Sequence, residues 1–321
     1  MSNFLKIIFA GTSDFAATQV KFLISQHIVV GILTKPDRAV GRGQQVSYNP
    51  VKTIALQHKI ALFQPDNSDI TQEVLQKKLL ELHADIMVVV AYGVKLPKKL
   101  LTIPRFGSIN VHCSLLPRWR GASPIQTSIL SGDLYTGVTI IQMNDKLDSG
   151  DILYQISCPI CHTDTSATLL KKLSFLSTKS LLFTLHQVMN NTLSPKPQNH
   201  LLSTYAKKIS KEEGYIDWTL SACEIERRIR AFNPWPGCYF IFQDKYIKVW
   251  QASIDNSYSC PDLSQFKPGQ ILHIGKKNIK IATNLGILNI EKLQLAGKKP
   301  MIVHEFLKSR KQLFRTGLII E

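Results

Sequence analysis

The sequence predicts a mostly parallel, doubly wound α/β sheet of Rossmann-like type, followed by a smaller OB-like β-barrel. Three observations predict it. Short apolar runs alternate with helix-spaced segments up to Met189. A polar, proline-bearing stretch, "NNTLSPKPQNHLL", then interrupts the pattern. Beyond it, one short helix gives way to closely spaced strand pairs. The expected organisation is a domain over 1–189, a linker over 190–208 and a strand-rich domain over 209–321.

The elements follow in order. "LKIIFAG" (Leu5–Gly11) is a short apolar run ending in glycine, the form of a buried strand. A helix is expected from Ala16 to Gln26 and a second strand at Ile28–Thr34. Lys35–Pro50 is a polar loop with two prolines and two glycines. Thr71–His83 places Val74, Leu75, Leu79 and Leu82 at helical spacing. Ile86–Gly93 and Gly107–Cys113 are the next strands, with a helix at Ser123–Gly132. Gly137–Met143 and Asp151–Ser157 are further strands, and Thr165–Met189 is a long helix. After the linker, "YFIFQDKYIKVWQAS" turns at Gln243–Asp244 and "GQILHIGKKNIKIAT" turns near Gly275–Asn278.

Composition narrows the function classes. Hydrophobic residues make up 44% of the 321, enough for packed cores and against disorder. Lys and Arg total 39 against 23 Asp and Glu, a net of +16, which favours a polyanionic partner. The N-terminal apolar run is too short for an export signal, and no 18-residue apolar stretch suggests a membrane span. The six cysteines are scattered and read as reduced thiols of the cytoplasm. "CPICH" (Cys158–His162) has the spacing of covalent haem attachment, but lacks the second half that a haem or zinc site needs. No metal is expected.

"INVHCSLLPRWRG" (Ile109–Gly121) carries the chemistry. On a strand, residues two apart face one side, so Asn110 and His112 point together at its C-terminal end. Two such residues alone could be a satisfied buried pair. The following strand, however, empties into "NDKLDSGD", which offers Asp145, Asp148 and Asp151. If the neighbouring strands end at the same edge, one carboxylate reaches His112, and an acyl-transfer site results. Cys113 faces away, so a covalent intermediate is not expected. "GTSDFA" lacks the dinucleotide glycine pattern, and no Walker loop is present.

"NVHCSLLPRWRGASPI", with the later "LDSGD", resembles the 10-formyltetrahydrofolate-dependent formyltransferases. Within them the chain resembles the methionyl-tRNA branch from end to end, through "FAGTSDFA", "TKPDRAVGRG", "KISKEEGYIDW", "RIRAFNPWPG" and "LQLAGKKPM". The resemblance implies 10-formyltetrahydrofolate as donor and the α-amino group of initiator methionyl-tRNA as acceptor. It implies catalysis by Asn110, His112 and Asp148, and folate along Ser114, Leu115, Leu116 and Pro117. The pterin would lie near the end of "VVVAYG". It assigns the tRNA acceptor end to the loop carrying Arg38 and Arg42. Asn110 and a protonated or donating His112 can hydrogen-bond the oxyanion formed when the amine attacks the formyl carbon, and either His112 or a water held by Asp148 would take the amine's proton. Arg227, Arg228 and Arg230, with Lys276, Lys277, Lys280, Lys298 and Lys299, could form a phosphate-tracking face. Trp235 is expected to pack between its flanking prolines. A monomer is expected. The alternative is a formyltransferase for a small-molecule amine, which shares the Asn–His–Asp site but needs no basic second domain.

Overall fold

The computed structural model describes residues 4–40, 45–66, 69, 72–255, 265–309 and 313–320. The chain divides into two compact units. The first comprises residues 1–124, 135–159 and 170–207; the second comprises 125–134, 160–169 and 208–321.

In chain order the elements are β1 (Lys6–Gly11), α1 (Asp14–Gln26), β2 (Ile28–Leu33), β3 (Arg38–Val40), β4 (Gln45–Ser47), α2 (Pro50–Gln57), β5 (Ala61–Phe63), α3 (Glu73–Leu80), β6 (Ile86–Val90), α4 (Lys98–Leu101), β7 (Ser108–His112), β8 (Arg120–Gly121), α5 (Pro124–Leu130), β9 (Tyr135–Gln142), β10 (Ile152–Pro159), α6 (Ser166–Met189) and β11 (Tyr205–Ala206). Then come α7 (Ala222–Ala231), β12 (Cys238–Phe242), β13 (Lys245–Ile254), β14 (Ile271–Ile274), β15 (Ile279–Ala282), β16 (Ile287–Leu295), β17 (Met301–Ile302) and α8 (Val303–Ser309).

The first unit is built on a seven-stranded sheet in the order β10-β9-β7-β6-β1-β2-β5. The five strands from β7 to β5 are parallel, as the alternating pattern predicts. β9 and β10 run antiparallel at one edge. The parallel strands are buried on both faces, which is why β1 and β6 read as unbroken apolar runs. Ile8, Ala10, Met87 and Val89 cluster with Leu75 and Leu79 of α3 and Leu100 and Leu101 of α4. Their neighbours Ile7, Phe9, Val88 and Val90 turn the other way and are equally buried. Buried Gln19 of α1 donates to the Ser174 carbonyl and accepts from Thr178 Oγ1, which stitches α1 to α6. The chain proceeds outward from β1 to β2 and β5, then returns to place β6 on the other side of β1. The carboxyl ends of β1 and β6 flank that reversal, the place where open α/β sheets hold ligands.

The second unit is an antiparallel sheet in the order β12-β13-β16-β15-β14, with β17 also on β16. Its helix α7 has a capping box. Ser221 Oγ accepts from the Glu224 amide at 3.2 Å, and Glu224 Oε2 accepts from the Ser221 amide at 2.9 Å. Ala222, Ile225 and Ile229 are buried on one face of this helix, which packs on β13 and β16.

The bonds from Ser221 hold the Glu224 carboxyl below its ordinary value of 4.5. A lowered folded value means that this stabilisation is present above pH 4.5 and is lost as pH falls through the folded value. Ser221→Ala is expected to cost about 1 kcal/mol at neutral pH. It should also flatten the acid limb of stability, as urea titrations at neutral and acid pH would show.

Candidate active site

β7 lies between β6, to which it is parallel, and β9, to which it is antiparallel. Asn110 and His112 share one face of it, as the two-residue period requires. His112 is buried, and its Nε2 donates to the Trp119 carbonyl at 2.8 Å. A carbonyl only accepts, so Nε2 carries the proton. The other nitrogen, Nδ1, faces Asp148 Oδ2 at 3.7 Å. Asn110 Nδ2 donates to Asp148 Oδ1 at 3.4 Å. The three side chains expected from the sequence therefore converge.

The carboxylate does not arrive by the expected route. Because β9 is antiparallel to β7, its last residue, Gln142, lies beside Ile109, at the opposite end of β7 from His112. Asp148 comes within reach because the following loop doubles back. Asn144 Oδ1 accepts from the Lys146 amide at 2.9 Å and from Ser149 Oγ at 3.0 Å, tying the loop into a turn. Asp148 itself takes a left-handed backbone, φ 47°. Gly150 then passes so close to the Gln142 carbonyl that a Cβ would collide with it. The Gly121 amide donates to Asp148 Oδ2 at 2.8 Å and fixes the carboxylate. Asp145 and Asp151 are exposed, and neither carboxylate joins the cluster.

The segment expected as a linker is woven into this site. Lys196 and Ile152 exchange backbone hydrogen bonds of 2.8 and 2.9 Å. Buried Gln198 donates from Nε2 to the carbonyls of Asp148 (2.9 Å) and Gly150 (2.7 Å). Its Oε1 accepts from Arg120 Nε (3.1 Å) and Nη2 (2.6 Å). β11 pairs in parallel with β8, and the Trp119 amide donates to Thr204 Oγ1 at 2.9 Å. Nothing in the pattern of "SPKPQNH" singles out Gln198, since its role depends on partners 48 to 78 residues away.

Of the folate-assigned residues, Ser114 is fully buried and donates to the Arg118 carbonyl at 2.6 Å. Leu116 is buried, and its amide donates to Thr139 Oγ1 at 3.1 Å. Leu115 and Pro117 are half-exposed. Burial pushes the Cys113 thiol up to about 12, so it is no nucleophile at neutral pH. Arg42 lies outside the described residues, and Arg38 is described only as backbone in β3.

In the second unit the arginines are largely spent within the fold, because α7 turns them toward internal acceptors. Arg230 pairs with Glu226 at 2.5 Å, and Arg228 Nη2 donates to the Glu213 carbonyl at 2.8 Å. Lys280 pairs with Asp255 at 2.5 Å. Lys276, Lys277, Lys298 and Lys299 stay exposed. Trp235 is 54% exposed rather than packed, while its neighbours Phe232 and Pro236 are buried in its place. Among the described residues neither Cys158 nor Cys161 forms a disulfide, and no group of three His, Cys, Asp or Glu is able to hold a metal.

Residues 4–185 match the formyl transferase family, and residues 208–311 match the formyl transferase C-terminal domain. The chain belongs to the formyl transferase family. Its fold is shared with HypX from Aquifex aeolicus in complex with tetrahydrofolic acid, at a TM-score of 0.65 and 15% identity. That alignment covers 100% of this chain and 51% of HypX, so the chain spans about half the length of HypX. It is also shared with WlaRD, a sugar 3N-formyl transferase, at a TM-score of 0.64 and 20% identity over 93% of this chain and 100% of that one. A third relative is the N-formyltransferase of Helicobacter canadensis, at a TM-score of 0.65 and 19% identity over 89% of this chain and 99% of that one.

Gln198→Glu keeps an acceptor for Arg120 but loses both donors to the Asp148 loop. A misplacement of this kind is expected to lower kcat of formyl transfer by about 10- to 100-fold. KM should change little. Steady-state kinetics beside a thermal melt would separate this from simple unfolding.

Proposed function

We propose that this formyl transferase carries the formyl group of 10-formyltetrahydrofolate to the α-amino group of methionine on initiator tRNA. The convergence of Asn110, His112 and Asp148 is the observation that carries the formyl-transfer reading. The acceptor reading rests on the resemblance over both domains and on the net charge of +16.

The residues present fit a folate donor. Half-exposed, apolar Leu115 and Pro117 follow the end of β7 directly, three and five residues beyond His112. A pterin needs both flat apolar contact and backbone hydrogen-bonding groups. When bound, the donor supplies a one-carbon unit at the formyl oxidation level. Attack by the amine makes a tetrahedral centre with negative charge on oxygen. Asn110 uses one amide hydrogen on Asp148 and has a second for that oxyanion.

Of the two parts open to His112, oxyanion donor and proton acceptor, its hydrogen bonding favours the second. Its Nε2 proton is committed to the Trp119 carbonyl, so it does not donate to the oxyanion. Its Nδ1 and the Asp148 carboxylate together take up the proton that the attacking amine releases. That proton then passes to the folate nitrogen as the tetrahedral centre collapses and its C–N bond breaks, giving the formylated amine and tetrahydrofolate with no need of a metal. The proposal places the reaction in the cytoplasm, with the protein as a monomer. Among the described residues no helix is long and apolar enough to cross a membrane.

A second reading has its own support. WlaRD was solved with dTDP and 5-N-formyl-THF, and the Helicobacter canadensis enzyme with folinic acid and dTDP-3-aminofucose. An amine on a nucleotide-linked sugar is therefore the competing acceptor.

Incubation with 10-formyltetrahydrofolate and either charged initiator tRNA or dTDP-3-aminofucose decides between them. Formylmethionine is expected from the first; product from the sugar alone would overturn the tRNA reading. Asn110→Ala should lower kcat about 10²- to 10³-fold. Folinic acid affinity should be retained, as calorimetry would show.

A further inference from the structure

We propose that a cavity beside the Asp148 loop seats a nucleotide phosphate of the acceptor. The inference rests on the formyl-transfer reading and adds a binding site to it. The cavity has a volume of about 370 Å³ and lies within the first unit. Arg120, Lys146, Leu147, His200 and Tyr205 line it, and none of its lining residues is acidic.

Arg120 is the key to its chemistry. The residue is only 4% exposed. Its guanidinium bonds to Gln198 Oε1 and, from Nη2, to His200 Nδ1 at 2.9 Å. Both are uncharged acceptors, and a histidine accepting at Nδ1 carries its proton on Nε2. Asp148 does not supply the missing charge. Its oxygens are engaged by Asn110, His112 and the Gly121 amide. A buried cation is costly unless an anion pairs with it. The fold thus holds a rigid, planar donor at the wall of an open cavity, with no carboxylate in ion-pair range among the described residues.

The other side chains suit a phosphate better than a carboxylate alone. Exposed Lys146 adds a second positive charge at the same mouth. Tyr205 and Leu147 are each 65% exposed at the rim. A phosphate beside a free aromatic ring is the pair of contacts that a nucleotide makes, charge on one side and a base to stack on the other. The cavity shares Lys146, Leu147 and Ser149 with the loop that presents Asp148. A nucleotide seated there would bring the acceptor's amine toward the reacting carbon.

Adenosine 5′-monophosphate is the probe, titrated calorimetrically into the full chain with and without folinic acid. The intact protein is expected to bind it. Lys146→Ala and Tyr205→Ala, both at exposed side chains, should each weaken it by about five- to tenfold. Adenosine should bind at least about tenfold more weakly than its phosphate ester. Unchanged affinity in both variants overturns the proposal. So does absence of AMP binding to a protein that binds folinic acid. Displacement of AMP by folinic acid also overturns it, since the cavity would then hold the donor's carboxylates. If folinic acid fails to bind, the formyl-transfer reading fails, while the AMP titrations still decide the cavity. Competition by initiator tRNA would assign the phosphate to a tRNA phosphodiester, and competition by dTDP to a sugar nucleotide. Competition by neither overturns the assignment to the acceptor.

Discussion

The Gly121 amide donates to Asp148 Oδ2 at 2.8 Å, and the geometry of the site depends on that bond. It joins two loops that leave opposite ends of β7 and its antiparallel neighbour. Gly121 sits at φ 113°, and a Cβ there would stand 2.5 Å from the Ala206 carbonyl. The missing side chain lets β11 lie against β8, and this pairing keeps the amide in place. Asp148 can then serve Asn110 and His112 together, although nothing in its own strand brings it there.

Charge in this region is arranged by burial more than by ion pairs. Gln198 satisfies two carbonyls on one side and a guanidinium on the other, using all its polar capacity. A neutral amide in that position holds the loop without quenching Arg120. A carboxylate would have neutralised the cation and removed the donors that the loop needs. In the second unit the logic is reversed. Arg230 and Lys280 meet Glu226 and Asp255, so fewer basic side chains face solvent than the composition suggests.

Much of the fold is legible from apolar runs, because parallel strands buried on both faces must be apolar throughout. β1, β2, β6 and β7 fall where those runs fall. β5 is three residues long and carries too little pattern to detect. Asn110 and His112 are legible because an amide and an imidazole two apart on a strand share a face whatever surrounds them. By spacing alone Asp148 is one of three aspartates, and the family resemblance is what singles it out. Its placement depends on a left-handed turn and on the Gly150 contact, which spacing does not encode.

The sequence by itself determined the sheet class, the family and the chemical groups at the end of β7, since these follow from short-range periodicity and local motifs. Only the tertiary structure decided how Asp148 is carried to them, that His112 spends its Nε2 proton on a backbone carbonyl, and that residues 196–206 belong to the site. Each of these is a contact between segments far apart in the chain. Burial and backbone hydrogen-bond satisfaction select such contacts, and no local pattern of residues records them.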